Sequence, residues 1–225
     1  MAKDLVIIFI LIIMGCGVSR SARVREGYNL YRNSQYSQAA QCLRDHLEDH
    51  PDDAEAHFLL GQSYEELNNW DLALSEYRKT VDLEPRHLNA RRRLGLGYLE
   101  TGSNLFAARE FMTVLQYQPD DPLSLFKLGV IFHREGKYNQ AIKYFQRVIA
   151  VDPQYSKAYY NLGVIYAYDQ KDLQQAIYYF RRFAELNPDS EHTAEIKQWL
   201  EENREREDSR GQGVKDSREN KHLNP

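Results

Sequence analysis

Hydrophobic positions fall into three regimes along this chain. Leu5 through Met14 is an unbroken apolar run of ten residues. After it, small and apolar residues return at a long fixed interval. Gly27, Gly61, Gly95, Gly129 and Gly163 are each 34 residues apart, and Pro51, Pro85, Pro119 and Pro153 keep the same spacing, with Pro188 at 35. Ala39, Ala73, Ala107 and Ala141 form a third column in that register, and Ala176 again falls one residue late. Over 191–205 the period shortens: Ile196, Trp199 and Leu200 stand at i, i+3 and i+4, with Glu195, Lys197, Gln198, Glu201 and Glu202 around them. That spacing predicts an amphipathic capping helix with one apolar stripe. The stretch 206–225 has little to bury and reads as a disordered tail.

Three independent columns in one register define five units, at 20–53, 54–87, 88–121, 122–155 and 156–190. Within them Leu60-Gly61 precedes Tyr64, Leu94-Gly95 precedes Tyr98, and Leu162-Gly163 precedes Tyr166, while the fourth unit carries Phe132 in the tyrosine place. The first departs most, with Glu26 before Gly27 and Leu30 where the aromatic belongs, as an amino-terminal cap would. A period of 34 with these columns resembles the tetratricopeptide repeat family, in which each unit is a helix–turn–helix hairpin.

The resemblance implies an all-α fold: a right-handed α-solenoid of five helix–turn–helix repeats closed by the capping helix at 191–205. Glycine in the first helix and alanine in the second are expected where two helix backbones approach closely. Proline near each unit's end removes a backbone donor and closes the second helix. Gly102, Gly136 and the pair Asn68-Asn69 read as turns between helices. The extra residue of the fifth unit is expected in its turn around Asp169–Lys171. No single hairpin can bury its own apolar face, so neighbours must stack.

In this family a concave groove is lined by first-helix positions. Transferred residue by residue, they are Tyr28 and Tyr31; Phe58; Arg92, Leu96 and Leu99; Phe126, Val130 and Arg134; and Tyr160, Val164 and Tyr168. Six aromatics bordered by arginine have the composition of a binding surface for a protein or peptide segment. The Lys and Asn with which some family members clamp acidic chaperone tails are replaced here by Val24 and Tyr28, so that specialisation is not expected.

The amino terminus adds an address. As a helix, ten residues reach only about 15 Å, half of a hydrocarbon core of roughly 30 Å, so the run reads as the core of a signal peptide over 1–15. Ile13, Met14, Gly15 and Cys16 resemble a bacterial lipobox. That resemblance implies cleavage before Cys16, lipidation of its thiol, a short linker at 16–19, and anchoring by several acyl chains, which hold far better than one. Gly17, where an aspartate would retain the protein at the inner membrane, implies the periplasmic face of the outer membrane. Arg20, Arg23 and Arg25 favour an inner-membrane anchor as the alternative, since positive charge tends to stay cytoplasmic.

Charge and composition remove other classes. Lys plus Arg number 29 against 33 Asp plus Glu, giving −4, with pI ≈ 6.0, so no basic field is available for nucleic acid. Two cysteines, Cys16 and Cys42, exclude a disulfide scaffold. No nucleophile elbow, phosphate-binding loop or H-E-x-x-H pair occurs, and no cofactor, metal or small-molecule substrate is expected. His46 and His50, at i and i+4 beside Asp45 and Asp49, read as surface histidines, Cys42 as a half-buried inert thiol, and Arg91–Arg93 as a solvated face. The expectation is a non-catalytic scaffold, with the regulatory arm of an enzyme complex as a further alternative. Resemblance to envelope lipoproteins of the pilotin and outer-membrane assembly type suggests a place in a pilus, secretion or outer-membrane complex.

Overall fold

A computed structural model of the chain describes residues 20–203. The signal-like run, Cys16 and the tail at 206–225 lie outside them. Among the described residues the regular structure is entirely helical. In chain order the elements are α1 (Arg20–Arg32), α2 (Tyr36–Asp49), α3 (Ala54–Glu66), α4 (Trp70–Leu83), α5 (Leu88–Glu100) and α6 (Asn104–Tyr117). They continue with α7 (Pro122–Arg134), α8 (Tyr138–Val151), α9 (Ser156–Val164), a π-helical turn (Ile165–Asp169) and α10 (Leu173–Leu186). Helical backbone over 191–203 forms α11. The helices make two compact units, with the boundary between Val114 and Leu115.

The hairpins begin where the periodicity places them, at Ala54, Leu88, Pro122 and Ser156. Polar residues one step earlier fix several starts. Asp53, His87 and Asp121 accept from the backbone N–H groups of Ala56, Ala90 and Ser124. Asn69 and Asp172 do the same for the second helices α4 and α10. Each such bond satisfies a donor that the first helical turn leaves without a partner. Every proline of the column stands two residues past the end of a second helix.

The corner inside each hairpin is a left-handed residue: Ser34, Asn68, Gly102, Gly136 and Lys171 have φ of 59°, 56°, 75°, 71° and 56°. Around it the second helix is held by a backbone bond across the corner, from Gln35 to Leu30, Asn69 to Tyr64, Ser103 to Tyr98 and Lys137 to Phe132, at 2.7–2.9 Å. In the fifth repeat the matching bond, from Asp172 N–H to the Tyr166 carbonyl at 2.8 Å, encloses one residue more. The extra residue is therefore absorbed by a π-helical turn that widens the end of the first helix. The loop around Asp169–Lys171 keeps the corner the other repeats have.

The glycine column has a different cause from the one expected. What meets each glycine is a ring or branched side chain from the second helix of the same hairpin, not a neighbouring backbone. A Cβ on Gly61 would lie 2.7 Å from Tyr77, on Gly95 2.8 Å from Phe111, and on Gly129 2.6 Å from Phe145. Gly27 faces Leu43 at 2.7 Å, and Gly163 faces Phe180. Those partners are themselves a 34-residue column, and Leu43, Tyr77, Phe111 and Phe145 are fully buried. The alanine column is also fully buried at all five positions. Each hairpin is thus closed by one large side chain lying on a bare stretch of the facing helix.

Candidate interaction face

In the amino-terminal unit the first-helix residues singled out from the sequence are exposed or half-buried. Tyr28 is 44 % exposed, with the Arg32 guanidinium 6.0 Å from its ring centre. Tyr31 donates its hydroxyl to Glu66 at 3.4 Å and sets its ring 5.5 Å from Tyr36. Burial, then the Glu66 charge, pushes that phenol up. Phe58 is half-buried, its ring 4.6 Å from His87 and 5.9 Å from Tyr77. Arg92 donates to Asn89 at 2.8 Å, and Leu96 and Leu99 are half-buried. Beneath them Glu65 accepts from Arg93 at 2.7 Å and from the Tyr77 hydroxyl at 2.5 Å, which pins the end of α3 to α4 and α5.

The carboxy-terminal unit corrects one assignment. Phe126 is only 8 % exposed, closed in by Phe145 at 5.6 Å and Tyr155 at 5.1 Å. It is a packing residue rather than an open anchor. Val130 and Val164 are half-buried and Arg134 is exposed. Tyr160 is half-buried and Tyr168, on the π-helical turn, is 61 % exposed. Tyr160, Val164 and Tyr168 line a cleft of about 150 Å³, closed by Phe180 and by Glu195, Ile196 and Trp199 of α11. Helical spacing marks Trp199 as apolar packing and Glu195 as outward. Nothing in that spacing shows that both share a wall with the first-helix residues.

Elsewhere several polar readings change. His46 is fully buried, its Nε2 donating to Asp53 at 3.0 Å, and is not a surface histidine. Arg91 and Arg93 are half-buried and paired, with Glu110 and Glu65, each at 2.7 Å, rather than forming a solvated face. Cys42 is half-buried, as expected, and burial, then Glu26 and Asp45, pushes its thiol up, which suppresses the reactive thiolate.

A column missed in the sequence explains the buried charges. From the second repeat on, the fourth residue is His57, Arg91, Leu125 and Tyr159, and three of them donate to the preceding proline's carbonyl. The distances are 3.0 Å from His57 to Pro51, 2.8 Å from Arg91 to Pro85 and 3.2 Å from Tyr159 to Pro153. Leu125 has no donor, and Arg147 reaches Pro119 instead, at 2.7 Å. His57 also donates Nδ1–H to Glu76 at 2.6 Å, and Glu76 accepts from Lys79 at 2.9 Å. Both ring nitrogens of His57 therefore face acceptors, which favours its protonated form beside a cleft of about 450 Å³ that Glu48 and Glu76 also line. Burial pushes His57 down, but its bonds to Glu76 and Pro51 outweigh that and raise it. Glu76 is pushed up by burial and then held low by His57 and Lys79.

The sequence profile described as "Tetratricopeptide repeat" matches residues 24–87, 60–108, 92–147 and 134–191. The chain belongs to the tetratricopeptide repeat family. Solved structures agree on the fold of this tetratricopeptide repeat protein. It is similar to YrrB, "a TPR protein with an unusual peptide-binding site", at 19 % identity and a TM-score of 0.72 over 84 % of this chain and 97 % of that one. It is also similar to MamA from Desulfovibrio magneticus, at 20 % identity and 0.71 over 78 % and 98 %. Pseudomonas aeruginosa pilF matches at 21 % identity and 0.70 over 84 % and 86 %. Among curated protein sequences none matches this chain. The family and fold are those of protein-interaction scaffolds. Among the described residues no helix is long and apolar enough to cross a membrane.

Proposed function

We propose that this tetratricopeptide repeat protein is a non-catalytic adaptor that holds a segment of a protein partner against its first-helix residues. Acyl chains on Cys16 tether it in a bacterial envelope, at the periplasmic face of the outer membrane. There it serves assembly of an outer-membrane, pilus or secretion complex. The observation that carries the reading is the set of aromatic and aliphatic side chains left open or half-open on first helices: Tyr28, Tyr31, Phe58, Leu96, Leu99, Tyr160 and Tyr168. Side chains needed only for packing would be closed, as Phe126 is. The peptide-binding site named for YrrB supports the same use of this fold.

Two measurements test the proposal. Photo-crosslinkers at Tyr28, Leu99 and Tyr168 in intact cells should join one protein, and sites on second helices such as Lys143 should not. Mass spectrometry of the mature protein should find an acylated amino-terminal Cys16. An uncleaved Met1 would exclude the lipid anchor and leave the adaptor role standing, whereas crosslinks that fail to favour first-helix sites would exclude the adaptor role.

A further inference from the structure

The cleft between the fifth repeat and α11 has a chemistry that the rest of the first-helix face lacks. Four aromatic residues contribute to its wall, Tyr160, Tyr168, Phe180 and Trp199, and its one ionised lining group is Glu195. The Glu195 carboxylate is 70 % exposed at the rim, and its recorded neighbour is His192, 3.5 Å away on the same helix. No lysine or arginine contributes to the lining. Aromatic faces carry negative potential, so a cation within about 6 Å of a ring centre is attracted to it, more so where water is excluded. Rings around a carboxylate form a cage for a positive group and a poor one for an anion.

Volume narrows the occupant. Pockets for drug-sized ligands run from about 300 to 1,000 Å³, and this one holds about 150 Å³. It admits the end of one side chain. The remainder of the molecule shows the same chemistry satisfied internally. Arg78 lies 5.5 Å from the Tyr98 ring centre, Lys137 5.6 Å from Phe132, and Arg182 5.9 Å from Tyr159. Tyr160 already meets the ring of His192, 5.3 Å away centre to centre, while Tyr168 is 61 % exposed. The cage is built by the two irregularities of the carboxy-terminal unit. The π-helical turn carries Tyr168, and α11 brings Trp199 edge-on to Phe180 with ring centres 5.0 Å apart.

We infer that this cleft is a specificity pocket for a lysine or arginine side chain of the partner segment, seated among Tyr160, Tyr168 and Trp199 with its charge against Glu195. The inference rests on the adaptor role proposed above and gives the partner one defined feature, a basic residue at the position that meets the fifth repeat.

The test follows the two indole N–H resonances of the full-length protein, with Trp70 of the amino-terminal unit as internal reference. The probes are glycine–serine pentapeptides with a central lysine, arginine or norleucine. Lysine and arginine peptides should move the Trp199 signal and leave Trp70 unchanged, and norleucine should bind at least tenfold more weakly. Tyr168→Ala, at a position exposed enough to spare folding, should weaken the lysine peptide at least tenfold. Tyr168→Phe should retain binding, and Glu195→Gln should lose roughly three- to tenfold. Equal binding of norleucine would overturn cation recognition while leaving segment binding intact. A response seen only in a chain ending at residue 203 would make a lysine or arginine of the chain's own 204–225 segment the occupant and overturn the partner assignment. Silence of Trp199 toward all three peptides would overturn the pocket, and the crosslinking pattern would still judge the adaptor role separately.

Discussion

In the second and third repeats, within the unit ending at Val114, the fourth residue is His57 or Arg91, and each meets a glutamate of the second helix, Glu76 or Glu110. In the unit beginning at Leu115, the same two places hold Leu125 with Tyr144, and Tyr159 with Tyr179. The tyrosines there stack on aromatic residues instead: Tyr144 on Phe132 at 5.4 Å, and Tyr179 on Tyr166 at 5.5 Å. One backbone plan is therefore closed by ion pairs in one half and by ring contacts in the other. Ion pairs in low-dielectric surroundings depend on both partners being present and charged, whereas ring stacks depend on shape and area. At this place in the repeat, the amino-terminal unit relies on charge and the carboxy-terminal unit on ring packing.

The largest effect expected is from breaking one pair. Glu76→Ala leaves His57 buried beside Lys79 without its carboxylate, and loss of one partner from such a pair costs about 3 kcal/mol. Urea unfolding followed by hydrogen exchange should place the loss in helices α1–α5. The double change His57→Leu with Glu76→Tyr installs the fourth repeat's solution, and it should recover most of that stability. A double variant as unstable as Glu76→Ala would show that the two halves are not interchangeable solutions.

Next comes a change that should erase the comparison, because both halves share the glycine-on-ring contact. Gly61→Ala and Gly129→Ala each force a Cβ to within 2.7 Å and 2.6 Å of a buried ring. Overpacking of this kind costs about 2 kcal/mol. The two should destabilise their respective units about equally in denaturant titrations, and a several-fold difference would mean that one hairpin yields more easily.

A smaller effect is titration. His57 is raised above its usual 6.5, so its contribution is full below that value and fades as pH rises through the elevated one. Glu76 is held below its usual 4.5, so its contribution is full above that value and is lost as pH falls through the lowered one. Exchange protection in the amino-terminal unit should be greatest between about 4.5 and 6.5 and decline toward alkaline pH, and the double change His57→Leu with Glu76→Tyr should abolish that decline. The smallest effect concerns the corners. Lys171 and Ser34 adopt positive φ, which costs a side-chain-bearing residue about 1 kcal/mol, so Lys171→Gly and Ser34→Gly should each raise the melting temperature slightly.

The repeat boundaries, the closing prolines and the extra residue of the fifth repeat were legible because each recurs, or slips, at a countable interval. Burial within that frame was less so. Phe58 and Phe126 occupy equivalent places, yet Phe126 is closed by Tyr155, whereas Phe58 meets His87 at the same step and stays half open. The role of His46 was hidden because its partner, Asp53, lies beyond the helix, across a proline turn that helical periodicity does not describe. The fourth-residue column could have been read, since His57, Arg91 and Tyr159 all carry donors at the common interval. Its acceptor is a backbone carbonyl, which leaves no trace in residue types.

That column limits how the chain can be rearranged. Because the entry of one hairpin holds the exit of the one before, removing or transplanting a single repeat severs two closures, one at each seam. An incoming module that lacks a hydrogen-bond donor at its fourth place must bring a substitute, as the module starting at Pro122 does with Arg147. Any transplanted block, whatever its length, meets the same demand at both ends, and a designer extending the array should keep a donor at the fourth place of every incoming module.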